Sequence, residues 1–275
     1  MRTYKLTITY DGSKYQGWQR QMTSDLTIQG VLERTIGRIV GYNVEVHGSG
    51  RTDAGVHAMG QSSSLVLKGQ VDIRKFMNDL NRSLPEDIKV AKIELMRNGF
   101  HARYNARGKR YEYYLDTREK PDVFTRRYSY HYPYELDVEA MRRAAECLLG
   151  THEFDTFTDR KDKEELKSTR KTIKEIRIER EGDKMRFVFI GSGFLYHMVR
   201  RLTGTLLEVG RGERTVEDVA AALYAKDPSR AGFLVPARGL FLREVYYKYA
   251  DKGVGRNLEE DESSSKNVFD WEDKA

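Results

Sequence analysis

One cysteine among 275 residues rules out a disulfide framework, because Cys147 has no second thiol to pair with. The six histidines show no paired metal-ligand spacing, so with a single cysteine a zinc site is not expected either. Cys147 lies in a helical pattern and reads as a packed structural thiol. No apolar run approaches the roughly 18 residues of a membrane span. The first residues, MRTYKLTITYDG, contain no signal-peptide h-region. A cytoplasmic protein with no membrane partner is therefore expected. A dinucleotide fingerprint, a P-loop and a serine elbow are also missing. Any chemistry is expected to rest on one carboxylate, with neither metal nor bound cofactor.

Tyrosine is abundant, with 17 copies, and charged residues make up 33% of the chain. The net charge of +6 is unevenly spread. Residues 251–275 hold four Lys/Arg and eight Asp/Glu, a charge of −4, so the first 250 residues carry +10. A basic body suits a polyanionic partner. The polar, acidic tail is expected to be mostly disordered.

Residues 4–10 (YKLTITY) alternate strictly and read as a strand. Apolar residues from Ile28 to Val40 recur at helical spacing behind Thr27 as N-cap. Strands are expected near 43–47, 61–67 and 88–96, with a helix over 72–83. The first hundred residues thus read as strand–helix–strand–strand–helix–strand. The rest predicts a strand over 111–115, a helix over 135–149 and a hairpin of strands 171–180 and 185–191. Helices follow over 194–208 and 215–225, then a strand over 240–248. This is an α+β chain with an N-terminal unit over 1–103, a C-terminal unit over 104–250 and the tail.

Four stretches carry candidate chemistry. The first is Gly48 to Gly60, GSGRTDAGVHAMG. Its glycines suggest a phosphate cradle, but Asp53 stands where a glycine belongs and no Lys-Ser/Thr follows. Asp53 is either a turn aspartate or an ionised nucleophile with Arg51 beside it and His57 four residues on. The second, YDGSKYQGWQRQ (10–21), is either a plain loop or an aromatic rim for nucleotides. The third, RNGFHARYNARGKRY (97–111), has five Lys/Arg, no acid, and the rings of Phe100, His101, Tyr104 and Tyr111 threaded between. Cations for phosphates and rings for unpaired bases are the composition of an RNA surface, although Tyr111 also reads as a core residue. The fourth, GFLYHMVRRLTG (193–204), places Leu195, Met198, Val199, Leu202 and Leu206 on one apolar stripe. Arg200 and Arg201 lie off that stripe, and periodicity does not say whether either enters a cleft.

Together these stretches resemble the tRNA pseudouridine synthase family. The resemblance is carried by Tyr10-Asp11-Gly12, Gly17-Trp18-Gln19, Gly50-Arg51-Thr52-Asp53-Ala54-Gly55-Val56-His57-Ala58, Arg110-Tyr111-Glu112-Tyr113, Gly193-Phe194-Leu195 with Met198-Val199-Arg200, and Gly239-Leu240. It runs from residue 4 to about 248. It implies two RRM- or ferredoxin-like halves sharing a long, mostly antiparallel sheet, with helices on one side and the active site in the cleft between the halves. It also implies a cofactor-free isomerase that acts, as a homodimer contacting one tRNA, on uridines 38, 39 and 40 of the anticodon stem-loop. Asp53 would be the nucleophile, Arg200 its ion-pair partner, and Tyr111 the ring under the flipped uracil. Leu240 would pack on the other face of the base, with Arg51, Arg110 and His57 as further substrate contacts. Competing readings are a paralogue acting on another RNA such as ribosomal RNA, a non-catalytic RNA-binding protein, and a metal-dependent nuclease.

Overall fold

The computed structural model describes residues 1–159 and 168–248. The acidic tail, with its expected disorder, lies outside the described residues.

The chain runs β1 (Arg2–Tyr10), α1 (Ile28–Val40), β2 (His47–Gly48), β3 (His57–Leu67), α2 (Ile73–Ser83) and β4 (Ile88–Met96). It continues with β5 (Gly108–Asp116), β6 (Tyr130–His131), α3 (Val138–Glu146), β7 (Gly150–Glu153), β8 (Arg170–Glu181) and β9 (Lys184–Gly191). The last elements are α4 (Met198–Gly210), α5 (Val216–Ala225) and β10 (Leu240–Tyr246). Local chemistry explains most boundaries. Tyr4, Leu6, Ile8 and Tyr10 of β1 are buried and alternate with more polar residues, the period of a strand with one covered face. The Thr27 hydroxyl accepts from the Gly30 N–H to start α1, and Gly41, at φ 80°, ends it.

All ten strands belong to one mixed sheet of order β4-β1-β3-β10-β5-β9-β8-β7, with β2 on β3 and β6 on β5. Pairing is antiparallel except for β10 on β3 and β6 on β5. The seam is β10, which pairs with β3 on one side and with β5 on the other. The last described strand therefore ties the first hundred residues to the rest, and the linker between β4 and β5 spans the expected boundary near 103.

The register fixes which side chains share a face. Tyr10, Ala58, Leu242, Tyr111, Phe189 and Ile176 form one row across six strands. This face meets the helices: Ile28, Leu32 and Ile36 of α1, Met141 of α3, and Met198, Leu202 and Leu206 of α4 share its core. Each such large side chain, fully buried, contributes about 1.5–3 kcal/mol. The opposite face carries His57, Phe241, Glu112 and Val188 in a row.

The approach to β10 depends on α4. Residues 232–235 lie along this helix so closely that a Cβ on Gly204 would sit 1.8 Å from the Phe233 carbonyl oxygen. The Gly232 N–H also donates to the Thr205 hydroxyl at 2.8 Å. This strap aims the chain into the seam.

Some expectations need correction. The strand near 43–47 shrinks to His47–Gly48, and the helix over 135–149 to Val138–Glu146. The helix placed at 194 begins at Met198, because His197 adopts the left-handed region at φ 60° and ends helical geometry there. Cys147 is only half-buried.

Candidate active site

The loop Ser49–Val56 leaves β2 and enters β3 on the helix-covered side of the sheet. Tyr10, buried on that face, anchors it: its hydroxyl and that of Thr52 are 2.8 Å apart. The Trp18 N–H donates to the Thr52 carbonyl at 3.0 Å, and the Gly55 N–H donates to the Tyr15 carbonyl at 3.3 Å. Tyr10, Tyr15 and Trp18 are all buried. Of the two readings of the 10–21 stretch, an aromatic rim therefore fails for these rings, which brace the loop from beneath. Gly48 at the end of β2 and Gly50 in the loop give space to the protein itself. A Cβ on Gly48 would meet the Trp18 ring at 2.5 Å, and one on Gly50 would meet the Lys109 ammonium at 2.2 Å.

Asp53 at the loop's centre remains one-fifth exposed. Its Oδ2 accepts from Arg200 Nη1 at 3.1 Å, a contact across 147 residues of chain. Arg200 is itself fixed by donating Nε–H to the Val235 carbonyl at 2.8 Å, in the strap along α4. The strap that leads into β10 thus also sets the arginine. His197 Nε2 stands 3.5 Å from the same Oδ2. Among the described residues no hydrogen bond reaches Oδ1 of Asp53.

Tyr111 and Leu240 are buried on the same face of neighbouring strands. The Tyr111 ring meets Phe194 edge-on at 5.3 Å. Burial, with Tyr10 and Asp53 adding to it, raises the Tyr111 hydroxyl far above its ordinary value, so it stays neutral. Arg51 is exposed at the loop's edge. Lys109, on the Tyr111 face of β5, donates to the Ser49 carbonyl at 2.9 Å. Burial, with Arg103 and Lys171 adding repulsion, lowers its pKa to about 8.

The fold therefore pairs Asp53 with Arg200, brings Asp53 within electrostatic reach of Tyr111, and sets Leu240 on the Tyr111 face of the neighbouring strand, with Arg51 exposed on the Asp53 loop. It does not bring Arg110 or His57 there, and strand alternation is the reason. Arg110 follows the far face of β5 and donates to the Glu112 carboxylate. His57 is 1% exposed and stacks on Phe241 at 4.6 Å on that far face. Its Nδ1 accepts from the Gly12 N–H at 3.1 Å, and burial, partly offset by Asp11, lowers its pKa.

Of the basic stretch 97–111, Phe100 is buried against Tyr247, while Tyr104 is 78% exposed and meets the His101 ring at 4.4 Å. No group of three or more His, Cys, Asp or Glu suited to a metal occurs among the described residues. No described helix is long and apolar enough to cross a membrane.

Sequence reading missed His197 and Asp159. His197, Arg200 and Arg201 stand at i, i+3 and i+4, the spacing that puts three side chains on one helical face. That spacing was the available signal for His197. Nothing in the sequence pointed to Asp159.

A carboxylate paired with arginine, beside a neutral buried tyrosine, is equipment for covalent or base catalysis. Comparison with known proteins specifies the class. A family model described as tRNA pseudouridine synthase matches residues 6–105 and 144–248. The chain belongs to the tRNA pseudouridine synthase family, a family of isomerases. It is 41% identical over 247 residues to tRNA pseudouridine synthase A of Acetivibrio thermocellus, covering 90% of this chain and 100% of the relative. It is 42% identical over 250 residues to the protein of that name from Bacillus sp. (strain KSM-64), with the same coverage. The Clostridium kluyveri relative, also tRNA pseudouridine synthase A, is 41% identical over 247 residues, again covering 90% of this chain and all of the relative.

Proposed function

We propose that this protein isomerises uridine to pseudouridine in the anticodon stem-loop of tRNA, at positions 38, 39 and 40, with Asp53 as its nucleophile and no metal or cofactor. The observation that carries the proposal is the Asp53–Arg200 pair, which uses one carboxylate oxygen and leaves the other without a donor among the described residues. The reaction breaks the N1–C1′ bond, turns the uracil and rejoins it through C5. Asp53 Oδ1 attacks the ribose C1′ or first removes a ribose proton. A base in the stem must leave its stack before either step. Tyr111 then stacks on the flipped uracil, Leu240 packs against it, and Arg51 meets phosphate or fills the vacated space. The Tyr111 hydroxyl, kept neutral by burial, assists removal of the C5 proton as a relay, accepting it while its own proton passes to a neighbouring acceptor. Exposed cations of the 97–110 stretch hold the tRNA backbone, giving salt-sensitive affinity. The enzyme works in the cytoplasm as a homodimer, with one tRNA touching both subunits.

Site-resolved pseudouridine mapping on tRNA incubated with the wild type and with Asp53→Asn tests this reading. Pseudouridine should appear at positions 38–40 with the wild type alone. Modification elsewhere, or undiminished modification by Asp53→Asn, contradicts it.

A further inference from the structure

Arg200 is not the only residue of α4 that faces Asp53. His197, at the N-cap of this helix, has Nε2 3.5 Å from Asp53 Oδ2 and Nδ1 2.7 Å from Asp159 Oδ2. Asp159 is itself clamped: Arg201 donates Nε–H and Nη2–H to its Oδ1 at 2.9 and 2.6 Å. Arg201 in turn is held by the Gly232 carbonyl at 3.0 Å, in the same strap that holds Arg200 through Val235. The result is a chain of side chains, Arg201–Asp159–His197–Asp53–Arg200, with three members from the first turn of α4. The Tyr196 ring stacks on the imidazole at 3.7 Å, fixing its plane.

Two features separate His197 from an incidental neighbour. Its backbone holds φ 60°, a region that non-glycine residues occupy uncommonly. Such outliers persist where the surroundings impose them and concentrate at functional sites. Its side chain also makes no capping bond to the helix it precedes, so the conformation is not explained by helix initiation. What the left-handed turn accomplishes is to swing the ring between two carboxylates.

We propose that His197 is a positioning residue for Asp53. It acts as an imidazolium that donates Nδ1–H to Asp159 and directs Nε2–H at Oδ2 of Asp53. Together with Arg200 it fixes the rotation of the carboxylate, so that Oδ1 alone is presented to the ribose. The protonation requirement follows from the geometry: with Nδ1–H given to Asp159, Nε2 carries a hydrogen only in the cationic ring. The charged and titratable groups around the ring are Asp53 from the loop, Asp159 preceding it in space, Arg200 and Arg201 from α4, and the adjacent Tyr196.

The inference rests on Asp53 being the reactive carboxylate, and the test separates the two claims. Single-turnover rates and tRNA affinity are measured for the wild type, Asp53→Asn, Asp159→Asn, His197→Asn and His197→Gln. Asparagine tolerates the left-handed backbone but is too short to bridge both carboxylates. Glutamine keeps a neutral donor of intermediate reach. His197→Asn is expected to lose rate by about 100-fold, the scale of a misplaced reacting group, with tRNA affinity unchanged. His197→Gln should recover part of that rate. Asp159→Asn, which loosens the ring, should lose rate with tRNA affinity unchanged. Wild-type rates in both His197 variants overturn the proposal, as does a rate loss matched by lost tRNA affinity. An active Asp53→Asn overturns instead the assignment of the nucleophile.

Discussion

Glu112 and Asp53 are both carboxylates held by arginine, on opposite faces of the same sheet, and their surroundings differ in completeness. Glu112 is fully buried. It accepts from Arg110 and from the Tyr114 hydroxyl, with Arg186 and Arg243 3.9 and 3.4 Å away. Burial acts to raise its pKa, but Tyr114, Arg243 and Arg110 overcome that and hold the carboxyl below its ordinary range. Both of its oxygens are engaged. Asp53 keeps one-fifth of its side chain exposed and, among the described residues, only its Oδ2 is hydrogen-bonded. A saturated carboxylate is committed to the fold, and one with an open oxygen is free to react. The two sites share a chemistry of charge pairing and differ in whether a coordination position is left over.

Substitutions that remove one charge at a time should pull the two apart. The largest effect is expected from Asp53→Asn, which should abolish tritium release from C5-labelled uridine in tRNA while leaving tRNA affinity and the unfolding midpoint near wild type. At Glu112 the balance reverses. Glu112→Ala leaves its arginines facing one another and should cost about 3–5 kcal/mol in urea unfolding. The fraction that remains folded should still release tritium. Loss of chemistry without loss of stability in Glu112→Ala would remove the contrast.

Tyr111 tests the pocket more finely. Tyr111→Phe should keep RNA affinity and lose rate, whereas Tyr111→Ala should lose both, because only the second removes the ring. Equal affinity losses count against stacking, which base–aromatic contacts make worth about 1–3 kcal/mol.

The smallest effect concerns Lys109, behind the loop. Its pKa is lowered to about 8 from 10.5, so the unfolded chain binds more protons than the folded one between those values. Stability should therefore gain from this group as pH rises from about 8 to 10.5, while below pH 8 the burial penalty is fully present. Lys109→Met lacks the term, so its stability relative to wild type should be highest below pH 8 and decline through that window. A pH-independent difference in urea midpoints would show that Lys109 titrates normally.

Much of the fold was legible in the chain itself. Alternation in β1, the Thr27 cap of α1 and the hairpin around Gly182 rest on residues close in sequence, and so do the long helices and strands generally. Local signals failed where distant contacts decide. The start of α4 moved because Asp53 and Asp159 hold the His197 ring, and no local propensity reports that. Arg110 and His57 lie on the face away from Asp53 for a related reason: a motif places residues in order, but strand alternation sends neighbours to opposite faces. The 10–21 stretch stayed open between loop and aromatic rim because the burial of Trp18 against Gly48 depends on packing, not composition.

The amino-acid order alone determined the element types, the basic body, the lack of disulfide chemistry and the candidacy of Asp53, since these follow from short-range periodicity, charge and residue type. Only the tertiary structure decided that Arg200 and not Arg201 meets Asp53, that His197 and Asp159 join them, and that one carboxylate oxygen stays open. The physical reason is distance along the chain. These contacts link residues about 40 to 150 positions apart, and which charges meet is set by a strap packed on α4 and the register of β10, long-range terms that no local pattern encodes.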